Sequence, residues 1–411
     1  MRAAGPKPAR RARGGGRRPR VLLTDAQDRS SLAGCRSLYE AGYSVDALAS
    51  SRPAAAHWSR FCDRRLTASD PRRDEARFAG ELRDIVRSES YRLLVTGSDA
   101  SLLAISRHRE HFEPFVELAL PPAEVVERCV SKLALVRAAA EVGLDSPDTE
   151  ACADEAEARA AAGRFGYPVV LKPWSSVVGR NGDMRQCGSS LVRDEASLAA
   201  LSPGYGTPFL VQRRAEGAVL SFSGVAADGQ LLAYGVSRYE RTWPPGGGAV
   251  SFAQTISPPP ELHRKVGDLI RVLGWRGVFE LELIQRQATR FAAIDFNPRL
   301  FGSLELITRA GAPLTAAWCD CVLGTGQVEA QALPGYHYRW EDAELRNLWR
   351  LLGERRIRSA VSILRPRGRM TRGFFRLTDP GPLAARILLL VSHQLRRSHP
   401  SSDFREGPSG T

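Results

Sequence analysis

Lysine is scarce in this chain of 411 residues, which has four lysines among its 58 basic residues. The two cationic side chains differ in chemistry, because an ammonium is a compact point charge and a guanidinium is a planar fork. Arginine serves nearly everywhere that a generic cation is needed, so each remaining lysine is a candidate for a specific role. The four are Lys7, Lys132, Lys172 and Lys265.

Paired cysteines and long apolar runs are also absent from the sequence. The seven cysteines are scattered and include no CxxC pair, which argues against a disulfide framework and against a zinc site. No run reaches the ~18 apolar residues of a membrane-spanning helix, and the apolar run after the basic start is too short for a secretion signal. We therefore predict a reduced, cytoplasmic protein with no transmembrane span.

The net charge of +13 is concentrated at the two ends of the chain. Residues 1–20 hold eight cations and no acid, and residues 331–411 hold fifteen arginines and seven acids, so the intervening body is slightly acidic. A nucleic-acid-binding body would carry its cations on the folded face, which argues against a specific nucleic-acid partner. A module that uses the basic tails to bind nucleic acid or a membrane surface is kept as an alternative.

Strands and helices alternate from residue 21 onward, which predicts a parallel sheet with helices on its faces. No GxGxxG motif follows the first strand, so a dinucleotide site is not supported. Composition and pattern divide the chain into four parts. They are a disordered basic arm at 1–20, an α/β domain at 21–120, an α+β domain at 121–330, and a C-terminal extension at 331–411 that is helical and then disordered.

Two of the helices predicted beyond the N-terminal domain have sequence features of interest. Apolar spacing predicts one amphipathic helix over 123–142, which Gly143 ends. A second helix is predicted through 382–397, where an apolar run is flanked by arginines. That helix could lie on an anionic membrane surface, although packing on its own domain is the favoured interpretation.

Two segments of residues 121–330 carry residues suited to phosphate chemistry. Lys172 closes an apolar strand, which suits an ammonium held against a phosphate; a lysine that merely reaches solvent is the alternative. Strand alternation places Glu280 and Glu282 on one face, and Asp295 and Asn297 on one face of the next strand. Such oxygen ligands suit Mg²⁺ bound together with substrate phosphates, whereas a solvated sheet face with unrelated acids is the alternative.

In their order and spacing, these segments resemble the ATP-grasp superfamily, most closely its carboxylate–amine ligase branch. The resemblance runs from about residue 21 to residue 324. It implies a Rossmann-like pre-ATP-grasp domain followed by two α+β subdomains that hold ATP between their sheets. The expected fold class is therefore α/β and α+β, an ATP-grasp fold with a small C-terminal helical extension.

The resemblance also implies which residues contact the nucleotide. Lys132, which follows Ser131, resembles the first phosphate-contacting lysine, and Lys172 resembles the second. Residues 210–214 resemble the hinge strand, which reads the adenine edge through side-chain and backbone groups and offers three candidate contacts. Glu282 is a further expected contact of the nucleotide. The three hinge residues are Gln212, Arg213 and Arg214.

The metal ligands and one substrate contact follow from the same resemblance. Glu282 resembles the first metal-binding carboxylate, with Glu280 as the alternative if the strand register differs. Asp295 and Asn297 take the places of the other two ligands of Mg²⁺, for which Mn²⁺ is an alternative ion. Arg299 resembles the arginine that contacts the transferring phosphate or the substrate carboxylate.

The sequence departs from the family pattern at the hinge and in the phosphate loop. Many members have glutamate where this chain has Gln212, and the acid that usually holds the ribose is absent near Val219 and Leu220. The loop at 175–188 has only three separated glycines, although Arg180 or Arg185 could supply charge there. The three glycines are Gly179, Gly182 and Gly188.

Arg241 and the glycines at 246–248 form a further candidate segment. They could face the triphosphate or the acyl substrate, and an ordinary hairpin turn with an exposed arginine is the alternative.

The sequence is thus interpreted as an ATP-dependent carboxylate–amine ligase. The expected reaction passes through an acyl phosphate, requires Mg²⁺, and releases ADP and phosphate from a small carboxylate and a small amine. An ATP-grasp protein that binds ATP without turnover, as a sensor or scaffold, is the alternative. The sequence leaves a homodimer open and identifies neither substrate.

Overall fold

A computed structural model describes residues 18–178, 185–326, 329–365 and 367–398 of the chain. The predictions for residues 1–17, Gly179, Arg180, Gly182 and the last residues of the chain lie outside this part.

The N-terminal domain is a parallel five-stranded sheet with helices beside it, as the alternating pattern predicted. The strand order is β3-β2-β1-β4-β5. Val21, Leu22 and Leu23 are all fully buried, which is typical of a parallel strand covered on both faces. The elements are β1 (Arg20–Leu23), α1 (Arg29–Glu40), β2 (Ser44–Ala49), β3 (Arg64–Thr67), α2 (Glu75–Ser88), β4 (Leu93–Val95), α3 (Asp99–Arg107) and β5 (Glu117–Leu118).

The single helix predicted over 123–142 is wrong, because the chain forms two helices there, α4 (Ala123–Val130) and α5 (Lys132–Glu141). Ser131 separates them in an extended conformation (φ −79°, ψ 116°), and its hydroxyl accepts a hydrogen bond from the Ala134 amide at 3.3 Å. The apolar period continued across the break because both helices bury their apolar faces in the same core. As a result, Lys132 is the first residue of a helix and not a mid-helix residue.

The next subdomain has a four-stranded antiparallel sheet in the order β10-β7-β11-β6, with a short separate hairpin of β8 and β9. Its apolar core lies between this sheet and two helices. The elements are β6 (Thr149–Cys152), α6 (Glu155–Phe165), β7 (Val169–Pro173), β8 (Val177–Val178), β9 (Arg185–Gln186), β10 (Ser190–Val192), α7 (Glu195–Leu201) and β11 (Phe209–Arg213).

The second subdomain is built on a larger sheet, which long antiparallel strands dominate. Phe222 and Phe279 are fully buried against α8 on one face of this sheet. The elements are β12 (Ala218–Ala227), β13 (Gln230–Trp243), β14 (Ala249–Ile256), α8 (Pro260–Leu273), β15 (Gly277–Gln287), β16 (Arg290–Asn297), α9 (Leu304–Arg309) and α10 (Leu314–Val322).

The C-terminal region contributes strands to this large sheet as well as helices. Two of its strands extend the order to β16-β15-β12-β13-β14-β18-β19, and a third pairs with β13. The elements are β17 (Ala330–Gln331), β18 (His337–Arg339), α11 (Glu341–Gly353), α12 (Ile357–Leu364), β19 (Met370–Arg372) and α13 (Gly381–Ser398).

A buried ion pair joins this region to the N-terminal domain. Arg36 Nε of α1 lies 2.9 Å from Asp379 Oδ2, and both side chains are 1% exposed. In α13, Leu383 and Ala385 pack inward, whereas Ile387, Leu388 and Val391 stay half exposed. Of the helices that the described residues form, none combines the length and apolarity needed to cross a bilayer.

Candidate active site

The paired strands β15 and β16 bring the predicted metal ligands together. In their antiparallel register Glu280 lies opposite Asn297, and Glu282 lies opposite Asp295. Alternation directs these four side chains to the same face of the sheet, while Phe279 and Leu281 enter the core on the other face. The two strands therefore present three carboxylates and one amide to the same side.

Neighbouring strands hold the carboxylates in place through hydroxyl groups. Tyr239 of β13 donates a hydrogen bond to Glu280 at 2.9 Å and to Glu282 at 3.2 Å. Ser221 of β12 donates to Glu280 at 2.8 Å, and Asn297 Nδ2 donates to its other oxygen at 3.2 Å. Sequence reasoning missed Tyr239 and Ser221, although a hydroxyl at a buried position of an apolar strand was an available signal.

The environment of the cluster disfavours the ionised forms of its two glutamates. Burial raises the pKa of Glu282 to about 8, and the nearby charges of Glu280 and Asp295 add to this effect. Burial also raises the pKa of Glu280, although its hydrogen bonds from Ser221 and Tyr239 act against the increase. Since a divalent cation would relieve this repulsion, the donor set fits a Mg²⁺ site in both charge and ligand chemistry.

Lys132 and Lys172 reach the cluster from two different elements. The ammonium of Lys132, at the start of α5, forms an ion pair with Asp295. The ammonium of Lys172, in β7, donates to the Ile294 carbonyl at 2.5 Å. Burial favours the neutral form of Asp295, but the charges of the two lysines outweigh it and lower the pKa of that carboxyl.

Lys172 is enclosed and does not extend to solvent. Its side chain is buried, and burial lowers the pKa of its ammonium to about 8 despite the opposing charge of Asp295. An enclosed cation that lacks a full complement of counter-charge is suited to an anionic ligand.

Two adjoining cavities meet at this cluster. One of about 650 Å³ is lined by Lys132, Glu280, Asn297 and Arg299, and one of about 340 Å³ is lined by Lys172 and Gln212. Both are bordered by Glu282, Asp295, Tyr239 and the glycines Gly247 and Gly248. The smaller cavity lies between the two subdomain sheets and includes the apolar side chains Val170, Leu191, Val219 and Ile284.

The three hinge residues have different positions. Gln212 is buried beside the smaller cavity and donates to Thr149 Oγ1 at 2.8 Å, and Arg214 also lines that cavity. Arg213 lies outside both cavities because alternation along β11 turns it to the other face, where it pairs with Asp148 at 2.8 Å. The sequence pattern had shown no acid for a ribose, yet Glu216 lines the same cavity.

Arg241 points away from the site, contrary to the expectation that it could face the nucleotide or the acyl substrate. Irregular pairing with β14 on both sides of Arg241 disturbs the alternation that began at Tyr239. Its guanidinium instead makes hydrogen bonds with the buried Glu344 of α11, at 3.0 and 3.1 Å from Nε, and stacks over Phe252. Among the phosphate-loop residues, Gly188 lines the larger cavity, whereas Arg185 is exposed and bonds the Gly204 carbonyl.

Arg299 connects the larger cavity to a third one. It lies 2.8 Å from Asp99 Oδ1 and donates to Asn297 Oδ1 at 3.2 Å. The third cavity, of about 290 Å³, is at the carboxyl ends of the N-terminal parallel strands and includes Asp25 and Asp28. Burial and the charge of Asp25 raise the pKa of Asp28 to about 7. The two cavities share Asp28 and Arg299.

Comparison with known proteins gives matches in structure but not in sequence. Neither the protein-family models nor the curated proteins include a match to the chain. Staphylococcus aureus N5-carboxyaminoimidazole synthetase complexed with ADP aligns with a TM-score of 0.59 and 13% identity, over 76% of this chain and 79% of that chain.

Two further solved structures are similar to the chain over comparable lengths. Bacillus licheniformis L-amino acid ligase aligns with a TM-score of 0.60 and 14% identity, over 78% and 79% of the two chains. The second is the biotin carboxylase domain of Hydrogenobacter thermophilus 2-oxoglutarate carboxylase, in complex with MgADP, ADP and bicarbonate. It aligns with a TM-score of 0.59 and 15% identity, over 77% of this chain and 73% of that chain. These matches confirm the ATP-grasp fold that the sequence predicted.

Proposed function

We propose that this chain, which has the ATP-grasp fold, is a Mg²⁺-dependent carboxylate–amine ligase that acts through an acyl phosphate. The proposal rests on one observation above all. Two lysines from separate elements converge on the carboxylate and amide cluster of β15 and β16, at the junction of two cavities. A phosphoryl-transfer site needs fixed cations and metal-binding oxygens at one point, because the reaction depends mainly on positioning and charge neutralisation.

The smaller cavity is suited to the nucleoside. Its apolar side chains provide surface for a purine ring, and Gln212 provides an amide that can bond the ring edge. Glu216 and Arg214, at its border, are polar groups within the region where a ribose would lie. Lys172 lines this cavity together with Asp295, which also borders the larger one, so its ammonium would contact phosphates that lie between the two.

The ligands that would hold Mg²⁺ are Glu282, Asp295 and Asn297, with Glu280 behind them. When bound, the ion would neutralise phosphate charge. Glu280 accepts hydrogen bonds from four different side chains and is 4% exposed, so we assign it the role of orienting its neighbours. This favours Glu282 over Glu280 as the first ligand.

The chemistry itself requires no protein nucleophile. The substrate carboxylate attacks the γ-phosphorus, the bond to the ADP oxygen breaks, and an acyl phosphate forms. The amine then attacks the acyl carbon, and phosphate leaves. Lys132, Lys172 and Arg299 would stabilise the negative charge on the transferring group. Arg299 is held in place by Asp99 and Asn297, which limits its freedom before substrate arrives.

The third cavity is the proposed entrance for the amine. Asp25 is buried and accepts hydrogen bonds from Ser98 at 2.9 Å and Ser101 at 3.0 Å, which are uncharged donors. Asp28 stands at the connection to the larger cavity. A protonated amine would be attracted to these carboxylates, and Asp28, with a pKa of about 7, could then accept its proton before attack.

ADP release is the test of this proposal. The purified chain is incubated with MgATP and pairs of amino acids or small carboxylic acids, and ADP is measured for each pair. A productive pair should raise ADP release above the ATP-only rate. Lys172→Met should lower that rate by about 10²- to 10³-fold, the scale for removing one stabilising group from a transition state.

Lys265→Met is the matched control, because Lys265 lies on α8 and bonds the Gly143 carbonyl outside all three cavities. Its rate should equal that of the unaltered chain. ATP binding with no ADP release from any pair would instead favour the sensor or scaffold alternative.

A further inference from the structure

Exposed apolar side chains are concentrated on α11 and α12. In the described ranges fourteen large apolar residues are exposed, and six of them belong to these two helices. On each helix the three are spaced four and three residues apart, so they share one face. The six are Leu345, Trp349 and Leu352 on α11, and Ile357, Val361 and Leu364 on α12.

The outward apolar stripes are separate from the faces that fix the helices to the protein. Leu351, Ala360 and Ile363 are buried between the two helices. Glu344 and Asn347 face inward and bond the sheet. The apolar stripes therefore contribute nothing to this packing, and exposed apolar surface of this kind commonly marks a binding site.

Arginine is frequent in the segment that carries the stripes. Residues 345–369 contain eight arginines and a single acid, Glu354. Arg355, Arg356 and Arg358, in the connection between the helices and at the start of α12, are exposed. We call the exposed side chains of residues 345–365 the arginine-bordered face.

We propose that the arginine-bordered face binds an anionic membrane surface, with Trp349 and its apolar neighbours entering the headgroup region. Apolar stripes with tryptophan, leucine and isoleucine beside arginines are the composition of helices that lie in a membrane interface. A second copy of the chain is a poor fit as the partner, because its arginines would lie against the arginines of this face and repel them. The proposal is independent of the ligase chemistry, since no residue of this face lines the three cavities.

Vesicle sedimentation with the full chain tests the proposal. The chain should sediment with vesicles that contain phosphatidylglycerol and far less with pure phosphatidylcholine, and added salt should weaken the binding. Arg355→Gln, Arg356→Gln and Arg358→Gln should each reduce binding about fivefold, the effect of one cation near an anionic surface. Trp349→Ser should reduce it about tenfold or more through the lost apolar contact.

Matched controls separate this face from other basic or apolar parts of the chain. Arg10→Gln, Arg11→Gln and Arg13→Gln together remove three cations from the N-terminal arm, and Leu388→Ser alters the half-exposed surface of α13. Both should bind vesicles like the unaltered chain. Circular dichroism and ADP release should also be unchanged in Trp349→Ser, because that side chain is 66% exposed.

Several results would overturn the proposal. They are no preference for anionic vesicles, full binding by Trp349→Ser, or loss of binding only in the arm variant or in Leu388→Ser. Sedimentation velocity without lipid gives a further check. A dimer of the unaltered chain that Trp349→Ser converts to monomer, together with absent vesicle binding, would assign the face to self-association instead.

Discussion

Glu282→Gln is expected to stabilise the metal-free protein while it abolishes turnover. Glu282 is half-buried beside Glu280 and Asp295, and its pKa is about 8 in the folded protein against about 4.5 for an ordinary glutamate. Glutamine keeps the shape of the side chain and an oxygen that can accept from Tyr239, but it carries no charge. The substitution therefore removes a half-buried negative charge that Lys172 compensates only in part.

The size and the pH range of the effect follow from proton linkage. A carboxyl whose folded pKa is raised binds its proton more tightly in the folded state, so its ionisation destabilises the fold as pH rises. The cost begins near pH 4.5, grows up to about pH 8, and then stays constant. At about 1.36 kcal/mol per pH unit, the full cost is about 5 kcal/mol.

Urea unfolding in the presence of EDTA provides the measurement. At pH 8.5 Glu282→Gln should have a free energy of unfolding higher than the unaltered chain by up to about 5 kcal/mol, and at pH 4 the two should coincide. Adding MgATP without EDTA should reduce the difference in free energy of unfolding between the two proteins, because MgATP binding stabilises the unaltered chain more. Equal stability of the two proteins at pH 8.5 would refute the view that Glu282 is a strained, metal-binding carboxylate.

Three other predictions concern the ion pairs and the third cavity. Asp379→Ala should lower the free energy of unfolding by about 3–5 kcal/mol, because it leaves the Arg36 charge buried and unpaired. Thermal unfolding measures this loss. Arg36→Met combined with Asp379→Leu should restore much of the lost stability. Arg241→Gln should lower the stability of the chain, because the buried Glu344 loses its ion-pair partner, while the KM for ATP stays unchanged. A large rise in that KM would show instead that Arg241 contributes to nucleotide binding. Asp28→Asn should raise the KM for the amine, measured by ADP release, with little change in the KM for ATP; equal effects on both would contradict an amine site.

The composition of the carboxylate cluster could be read from the sequence because strand alternation is a local property. Glu280 and Glu282 had to share a face, as did Asp295 and Asn297, once the two strands were identified. The antiparallel register then joined the two pairs. Alternation could not have given the position of Arg241, because irregular strand pairing interrupts it there and has no clear mark in the sequence.

The break between α4 and α5 shows a related limit. Apolar spacing continues through Ser131 because both helices face one core, and that continuity concealed the change in chain direction. The capping serine was visible in the sequence, but serine also occurs within helices, so its conformation had to come from the structure.

By itself, the sequence determined the alternation of strands and helices at the start of the chain, the faces of β15 and β16, and the two candidate lysines Lys132 and Lys172. Periodicity and side-chain chemistry are local, so a single chain reveals them. Only the tertiary structure showed that Tyr239 and Ser221 donate hydrogen bonds to the cluster. It also showed that Asp28 and Arg299 border two cavities and that Arg241 forms an ion pair with Glu344. The pKa values at the site depend on burial and on charges that are far apart in the sequence, and folding alone brings those groups together.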